Sequence, residues 1–271
     1  MIPAAMDYVR ADSAEAAVAA LAEHGEEAKL LAGGQSLIPL MRLRLATPAV
    51  LVDVGRASDL VGISVDSDTV SIGALTTHSA LEHSTDLATA CPLLAHVASV
   101  VGDPAVRHRG TLGGSLAHAD PASDLPAAVL ALGGTLVVTG PAGTREIAAT
   151  DFFTGFLESA LAADEVLTEV RVPVSTAGWA YQKFNRRAQD WAIVGAVVAE
   201  GGAGVALVNM GSTPLRASAV EAAVASGASA AEAAAGAADG TDPPTDTQAD
   251  AAYREHLARV LTARALEAAG A

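Results

Sequence analysis

The sequence predicts an α+β protein in which helices and short antiparallel strands form two or three lobes. Its 271 residues are enough to bury a substantial core. Apolar residues make up 51% of the chain and aromatic residues only 3%, so Ala, Val and Leu supply most of the core. Such a core favours tightly packed layers of helix and sheet over an aromatic-rich β-sandwich. Short strand-like runs also alternate with segments of helical periodicity.

The N-terminal part of the chain has the pattern of a small subdomain that ends near residue 56. Asp12 and Glu15 resemble a capping box with Asp12 as the N-cap, which predicts an alanine-rich helix. The pair His24-Gly25 is a helix stop signal. Short apolar runs predict buried strands at Ala28 to Leu31 and at Ala49 to Val54.

Residues 57–175 predict a second, larger subdomain. Ile63 to Val65 and Thr69 to Ile72 flank a polar D-S-D turn, which is typical of an antiparallel hairpin. Helices are predicted at Pro92 to Val101 and Pro126 to Leu132, and strands at Thr135 to Thr139, Arg145 to Ala148 and Glu165 to Val172.

A smaller C-terminal domain is predicted over residues 176–271. Its last helix, from about Asp250 to Ala268, would place Tyr253, Leu257, Val260 and Leu261 on one face. The other elements of this domain are predicted within Tyr181 to Arg187, Trp191 to Ala199, Gly204 to Met210 and Ala217 to Val224.

Two glycine-rich segments share one set of residue types. The first glycine segment is Ala32 to Ser36 (A-G-G-Q-S), and the second is Thr111 to Ser115 (T-L-G-G-S). Glycines allow a ligand to approach the main chain closely, and exposed N–H groups beside hydroxyls bind anions. Two such segments suit a diphosphate held from both sides, although paired glycines also occur in simple tight turns. The candidate binding residues are Ala32, Gly33, Gly34, Gln35, Ser36, Thr111, Gly113, Gly114 and Ser115.

Polar residues near the second glycine segment add further candidates. Asp120 and Asp124 follow the segment, where carboxylates commonly hold sugar hydroxyls. His118 and Asp120 lack a third metal ligand at credible spacing, so we predict hydrogen bonding there rather than a metal site. His78 is either a packing histidine or a ligand contact. The R-H-R sequence at 107–109 is either a solvated cluster or part of a docking surface.

Composition excludes several classes of protein. The net charge of −15 disfavours binding to nucleic acid or to anionic membranes, because such binding requires basic residues. Cys91 is the only cysteine, so this chain alone builds no disulfide and no cysteine-ligated cluster. The start of the sequence lacks a signal-peptide pattern, and the longest apolar run, Ala127 to Val138, is too short to span a bilayer. We therefore expect a cytoplasmic protein.

Both glycine segments, in this order and 79 positions apart, resemble the FAD-binding medium subunit of molybdenum hydroxylases, the group that includes carbon monoxide dehydrogenase and xanthine dehydrogenase. The resemblance covers nearly the whole chain. It also includes V-D-V-G at 52–55, I-G-A-L-T-T-H at 72–78, T-L-G-G-S-L-A-H-A-D-P-A-S-D-L-P at 111–126 and T-P-L-R-A at 213–217.

The resemblance implies a two-subdomain FAD-binding domain of the vanillyl-alcohol oxidase and p-cresol methylhydroxylase type over residues 1–175, with subdomains of about 1–56 and 57–175. A C-terminal domain of the carbon monoxide dehydrogenase flavoprotein type, with a three-stranded antiparallel sheet, would occupy residues 176–271. The two glycine segments would hold the FAD diphosphate, and Asp124 the sugar-like part. Lys183 would lie near the flavin ring and Trp191 over it, whereas an ordinary surface ion pair is the alternative for Lys183.

The resemblance further implies an oxidoreductase subunit in a heterohexamer with two copies each of three chains. A large chain would carry the molybdenum cofactor and bind the substrate, and a small chain would carry two [2Fe–2S] clusters. FAD would pass the electrons to NAD, quinone or oxygen, so we predict no catalytic side chain in this subunit. Two alternatives are an assembly protein with the same fold that has lost FAD and, less favoured, a self-sufficient flavin oxidase, which would need a larger substrate domain.

Overall fold

A computed structural model describes residues 2–271 and has the predicted α+β fold. A parallel three-stranded sheet in the order β1-β3-β2 opens the chain, and β3 lies between the other two strands. The helix α1 and the short helix α2 connect these strands. The elements are β1 (Asp7–Arg10), α1 (Ala14–His24), β2 (Ala28–Leu31), α2 (Leu37–Leu43) and β3 (Val50–Asp53).

The N-cap of α1 is Ser13, so the prediction of Asp12 is wrong by one residue. Ser13 has an extended backbone, and its hydroxyl accepts a hydrogen bond from the Ala16 amide at 3.1 Å. The side chain of Asp12 is bonded to Arg10 instead. Since two adjacent residues were both good N-cap types, only the backbone conformation decided between them.

A five-stranded antiparallel sheet in the order β4-β5-β10-β6-β7 and a layer of helices form the central part of the molecule. In the largest core cluster, leucines and alanines of the helices pack against valines, isoleucines and leucines of the sheet. A two-stranded hairpin, β8-β9, lies beside this sheet. The strands are β4 (Ile63–Val65), β5 (Thr69–Gly73), β6 (Thr135–Gly140), β7 (Gly143–Ala148), β8 (Phe153–Gly155), β9 (Glu158–Ser159) and β10 (Val166–Pro173). The helices are α3 (His78–His83), α4 (Thr85–Ala90), α5 (Pro92–Ser99), α6 (Pro104–Arg109), α7 (Leu112–His118), α8 (Asp124–Ala131) and α9 (Ala149–Phe152).

The C-terminal part contains an antiparallel sheet in the order β11-β12-β13-β14. Three long strands form the expected sheet, and a two-residue strand extends its edge. The elements are β11 (Ala180–Phe184), β12 (Val194–Ala199), β13 (Gly204–Val208), β14 (Leu215–Arg216), α10 (Ser218–Ala225), α11 (Ala230–Ala234) and α12 (Ala251–Ala269).

This C-terminal sheet is covered on both faces. All six residues of β12 and all five of β13 are buried. One face joins the core cluster that contains α8, and the other packs against α12. The C-terminal part is therefore continuous with the central core rather than a separate lobe on a linker. Within residues 2–271, no helix is both long and apolar enough to cross a membrane.

Leu257 and Leu261 lie on the buried face of α12 as predicted, whereas Tyr253 does not. Tyr253 is 44% exposed, whereas Arg254 is only 1% exposed. The guanidinium of Arg254 donates hydrogen bonds to the main-chain oxygen of Ile193 and, at 2.7 Å, to the carboxylate of Asp246. A charged side chain tolerates burial when it is paired in this way, so Arg254 ties α12 to the start of β12.

We predict that Arg254→Met lowers the free energy of unfolding by about 2 kcal/mol, because it removes the buried hydrogen bond to the Ile193 oxygen, which keeps only the Asn209 amide as a donor, and the ion pair with Asp246. Urea denaturation of the purified chain measures this loss. The matched control is Arg259→Met, on an exposed turn of the same helix, where an open ion pair with Glu255 is removed. The control should change stability by less than about 0.5 kcal/mol. Equal effects of the two substitutions would contradict the anchoring role.

Candidate functional site

One cleft of about 760 Å³ brings together both glycine segments and the C-terminal part of the chain. Its volume lies in the range of small-molecule and cofactor sites. All twelve predicted binding residues line it, although they lie up to 159 positions apart in sequence. They are Ala32, Gly33, Gly34, Gln35, Ser36, Thr111, Gly113, Gly114, Ser115, Asp124, Lys183 and Trp191.

The first glycine segment presents unpaired backbone donors. It connects the end of β2 to the N-terminus of α2, and Gly34 has a positive φ of 74°. The amides of residues 33–36 donate no hydrogen bond to any group within residues 2–271. Four neighbouring N–H groups next to a helix N-terminus form an anion site of the kind that binds phosphate. The exposed amides predicted for this segment are thus present, and phosphate binding by them stays a prediction.

The second glycine segment is organised differently, because it forms the first turn of α7. Thr111 is the N-cap, and its hydroxyl oxygen accepts a hydrogen bond from the Gly114 amide at 3.1 Å. The amides of Gly113 and Ser115 donate to the main-chain oxygens of Ala74 and Thr111 at 2.8 and 3.0 Å. The expectation of exposed amides is wrong here, since the helix cap, the first turn of α7 and the main chain at Ala74 already satisfy them. The donors that remain are the hydroxyl hydrogens of Thr111 and Ser115.

The glycines of the two segments also have packing roles. A Cβ atom on Gly113 would lie 2.5 Å from the Cβ of Ala74, and one on Gly33 would lie 2.2 Å from the main-chain oxygen of Arg109. Neither position has room for a side chain even without a ligand. Gly114 differs, because a Cβ there would meet only the Thr111 hydroxyl at 2.7 Å and otherwise point toward open space and Ala32.

The I-G-A-L-T-T-H stretch holds the second glycine segment in place. Beyond the bond from Gly113 to Ala74, the amide of Leu112 donates to the oxygen of Thr76 at 3.0 Å, and the amide of His78 donates to the oxygen of Gly110 at 2.9 Å. These backbone bonds fix the second segment against the end of β5. The stretch therefore acts as a scaffold for the cleft.

His78 has the packing role that was one of its two sequence-based interpretations, and it also lines the cleft. Its ring lies against Gly110, where a Cβ would be 2.8 Å from Nε2. The side chain is buried, and Nδ1 has no hydrogen-bond partner within the described chain. Burial, with a smaller effect of the nearby Arg107 charge, lowers the pKa of His78 to about 4. The imidazole is therefore neutral at physiological pH.

A buried ionic network closes the end of the cleft that faces the C-terminal sheet. Lys183 on β11 donates to Oδ2 of Asp124 at 2.8 Å and to the main-chain oxygen of Val100 at 3.0 Å. The phenol of Tyr181, also on β11, donates to Oδ1 of Asp124. The Lys183 and Asp124 side chains are only 8% and 6% exposed. The alternative of an ordinary surface ion pair for Lys183 is therefore wrong, because the pair is buried between two parts of the fold.

Burial raises the pKa of the Asp124 carboxyl. The positive charge of Lys183 and the hydrogen bonds donated by Lys183 and Tyr181 oppose this shift. Burial and the adjacent Asp124 raise the pKa of Tyr181 well above its ordinary value, so this phenol acts as a donor. Tyr181 was absent from the predicted site residues. No signal in the sequence around Tyr181 indicated a polar partner, and only Asp124, which is distant in sequence, gives it a polar role.

Trp191 lies at the rim of the cleft, where its side chain is 53% exposed. The segment before it is ordered by the Asn185 amide, which donates to the oxygen of Arg187 at 2.8 Å. After it, the Asn209 amide donates to the oxygens of Ala192 and Ile193 at 2.9 and 3.2 Å. Trp191 is thus held at the mouth of the cleft by a defined loop.

Other candidate residues have simpler explanations. Arg107 is paired with Glu82 at 2.8 Å and is largely buried, while His108 and Arg109 are exposed. Asp120 accepts a hydrogen bond from the Ala122 amide at 2.9 Å in a local turn. Within residues 2–271, no cluster of three or more His, Cys, Asp or Glu side chains has the arrangement of a metal site.

The cleft fits a dinucleotide cofactor with a diphosphate. Four free amides and two free hydroxyls suit the diphosphate, and Gly114 leaves open space beside them. Both lysines of the chain and none of its arginines line the cleft, so an anionic ligand there would meet backbone dipoles more than basic side chains. The fold and the cleft together have the features of a protein that binds a dinucleotide such as FAD, with free amides in the first glycine segment and free hydroxyls in the second.

Comparison with known proteins gives the family. Residues 4–175 match the family described as "FAD binding domain in molybdopterin dehydrogenase", and residues 179–269 match "CO dehydrogenase flavoprotein C-terminal domain". The chain belongs to this family of FAD-binding oxidoreductase subunits. The predicted family, two-part fold and FAD cofactor are thereby confirmed.

Individual relatives are similar over their full length. The carbon monoxide dehydrogenase medium chain of Afipia carboxidovorans is 40% identical, over 100% of this chain and 99% of that protein. The glyceraldehyde dehydrogenase medium chain of Sulfolobus acidocaldarius is 33% identical, over 98% and 99%. The structure of carbon monoxide dehydrogenase from Hydrogenophaga pseudoflava superposes with a TM-score of 0.93 at 40% identity, covering 100% of this chain and 99% of the other.

The two glycines of the second segment provide a first prediction for the site. Gly113→Ala should lower the free energy of unfolding by about 2 kcal/mol, because the added Cβ overlaps the buried Ala74 backbone. Gly114→Ala should change stability by less than about 1 kcal/mol, since a weakened cap is offset by better helix propensity. Urea denaturation without FAD measures both changes. A Gly114→Ala protein that is the less stable of the two would contradict this assignment.

His78 provides a prediction on pH. As pH falls from about 6.5 to about 4, the unfolded chain binds a proton at this position before the folded chain does. The folded state should therefore lose up to about 3 kcal/mol across this range from His78 alone. Denaturation midpoints of the wild type and His78→Gln at several pH values measure the effect, and the slope should be smaller in the variant. His256→Gln, at an exposed position, is the control and should keep the wild-type slope.

Proposed function

We propose that this chain is the FAD-binding electron-transfer subunit of a molybdenum hydroxylase complex. It receives electrons from the iron–sulfur clusters of a partner chain and passes them through FAD to a final acceptor. The observation that carries the proposal is the cleft with four unpaired amides in the first glycine segment, in a chain that is similar to flavoprotein subunits over its full length. FAD supplies the two-electron chemistry, and the chain supplies binding, orientation and electrostatics.

The twelve cleft residues have different roles in this proposal. The amides of residues 33–36 and the hydroxyls of Thr111 and Ser115 bind the diphosphate, with Ala32 beside them, while Gly114 permits its close approach and Gly113 lets the second segment pack against Ala74. Asp124 keeps unused lone pairs that accept hydrogen bonds from sugar-like hydroxyls. Lys183 supplies positive charge beside the ring, which favours a ligand that gains negative charge on reduction. Trp191 covers the ring at the mouth of the cleft.

We also propose partner chains and a cellular location for this protein. A chain with a single, buried cysteine leaves iron–sulfur ligation to another subunit. The related proteins are named as medium chains or subunits of dehydrogenases, which suits a heterohexamer with two copies each of a molybdenum-bearing large chain, this chain and a [2Fe–2S] small chain. We place the complex in the cytoplasm, with residues 1–175 as the FAD-binding domain and 176–271 as the C-terminal domain.

The alternative of an assembly protein without FAD is disfavoured by the state of the cleft. A protein that no longer binds a cofactor gains nothing from four unpaired amides or from open space beside Gly114. A buried ion pair at the end of a cleft that binds nothing would likewise lower the stability of the protein without serving a function. The intact donors support a flavin-binding role.

The first test is an absorbance spectrum of the purified chain, with and without added FAD, followed by acid release and identification of any bound cofactor. We expect stoichiometric FAD with the spectrum of a bound flavin. A chain that takes up no FAD, either alone or when co-expressed with its partner chains, would favour the assembly protein.

A pair of variants tests the role of the first glycine segment. Gly34→Val should weaken FAD binding by about tenfold or more, because the positive φ is unfavourable for valine and the new side chain would collide with Ile38. Gln35→Ala keeps every amide of the segment and should bind within about threefold of the wild type. Flavin fluorescence titrations measure both affinities. Loss of binding in Gln35→Ala with retention in Gly34→Val would mean that side chains, not amides, bind the cofactor.

A further inference from the structure

The buried network at the end of the cleft contains one residue whose role is still open. Tyr181 lies two positions before Lys183 on β11, so both side chains point to the same face of the sheet. Both reach Asp124 at the start of α8, one at each carboxylate oxygen. The phenol is buried and has the Asp124 oxygen as its only side-chain partner in residues 2–271.

The arrangement leaves one donor of Lys183 free. An ammonium has three N–H donors, and two of them are used by Asp124 and the Val100 oxygen. Lys183 itself lines the cleft, so its third donor is available to a ligand there. The direction of this donor depends on where Oδ2 of Asp124 lies, and Tyr181 holds that carboxylate through Oδ1.

We propose that Tyr181 is a positioning residue for the flavin: by donating to Asp124, it keeps the carboxylate anionic and oriented, so that Asp124 holds the Lys183 ammonium toward the cleft. This inference rests on the proposed FAD-binding function. It assigns a role to a residue outside both glycine segments and makes the C-terminal sheet an active part of the cofactor site.

The charges around Asp124 make the proposal testable by pH. Lys183 and Tyr181, both on β11, are the ionisable groups that influence the carboxyl, and on its own helix α8 the described residues offer no other charged side chain. The loss of the Tyr181 hydroxyl removes one of the interactions that oppose the effect of burial. Asp124 would then take up a proton at a higher pH, and Lys183 would lose its counter-ion there.

The experiment measures the flavin reduction potential of the FAD-loaded full chain as a function of pH. In Tyr181→Phe, the step in potential caused by protonation of Asp124 should move upward by about one pH unit. Tyr253→Phe, at an exposed tyrosine of α12, is the matched control and should leave the step in place. In an Asp124→Asn background the step should be absent, and adding Tyr181→Phe should change nothing further.

A second variant covers the case in which Tyr181→Phe does not retain FAD. Incorporating 3-fluorotyrosine at position 181 preserves the shape but gives a more acidic phenol and a stronger donor, so the step should move to lower pH. An unchanged step in both variants, or a Tyr181→Phe effect that persists in the Asp124→Asn background, overturns the role of Tyr181 while FAD binding by the wild type stands. A wild-type chain that never binds FAD overturns both proposals.

Discussion

The cleft depends on one buried ion pair between two parts of the fold. Asp124 stands at the start of α8 in the central core, and Lys183 comes from the C-terminal sheet, with 2.8 Å between Nζ and Oδ2. Removing both charges from water is costly, and the pair is tolerable only because Tyr181 and the Val100 oxygen satisfy further hydrogen-bonding groups. The docking of β11 on the core therefore determines whether this end of the cleft exists.

Continuity of the core makes that docking firm. Tyr181 belongs to the same apolar cluster as α5, α8 and the five-stranded sheet, and the opposite face of the C-terminal sheet is covered by α12. Arg254 ties α12 to Ile193, two residues after Trp191. Contacts therefore connect α12, the C-terminal sheet, the mouth of the cleft and the ion pair. The C-terminal part contributes to the chemistry of the site because its position is fixed by packing.

The two glycine segments share a sequence pattern but not a physical role. In the first, the amides are unpaired and Gly34 has a positive φ. In the second, the amides are consumed by the Thr111 cap and by Ala74, and Gly113 is required by close packing. To bind a diphosphate through dipoles, an acidic chain would need one set of free donors, and the second segment, which lies directly beside the first, would support it.

The sequence by itself determined the fold class, the positions of most strands and helices, the two glycine segments and the family. These features depend on local periodicity, on turn chemistry and on the order of residue types, all of which can be read directly from the sequence. Three features were not predicted from the sequence. Ser13 rather than Asp12 is the N-cap of α1, and the second glycine segment forms the first turn of a helix. On α12, Arg254 rather than Tyr253 is buried. In each case two neighbouring residues or conformations were locally acceptable; the backbone conformation decided the first case, and partners distant in sequence decided the other two.

Only the tertiary structure decided which polar groups remain free for a ligand. Whether an amide at Gly34 or Gly114 is available depends on acceptors elsewhere in the chain, and whether Lys183 is a surface charge or a buried one depends on Asp124, 59 positions away. Tyr181 acquires its role only through the same carboxylate. Hydrogen-bond satisfaction and desolvation are properties of three-dimensional neighbourhoods, so no pattern of residue types along the chain contains them.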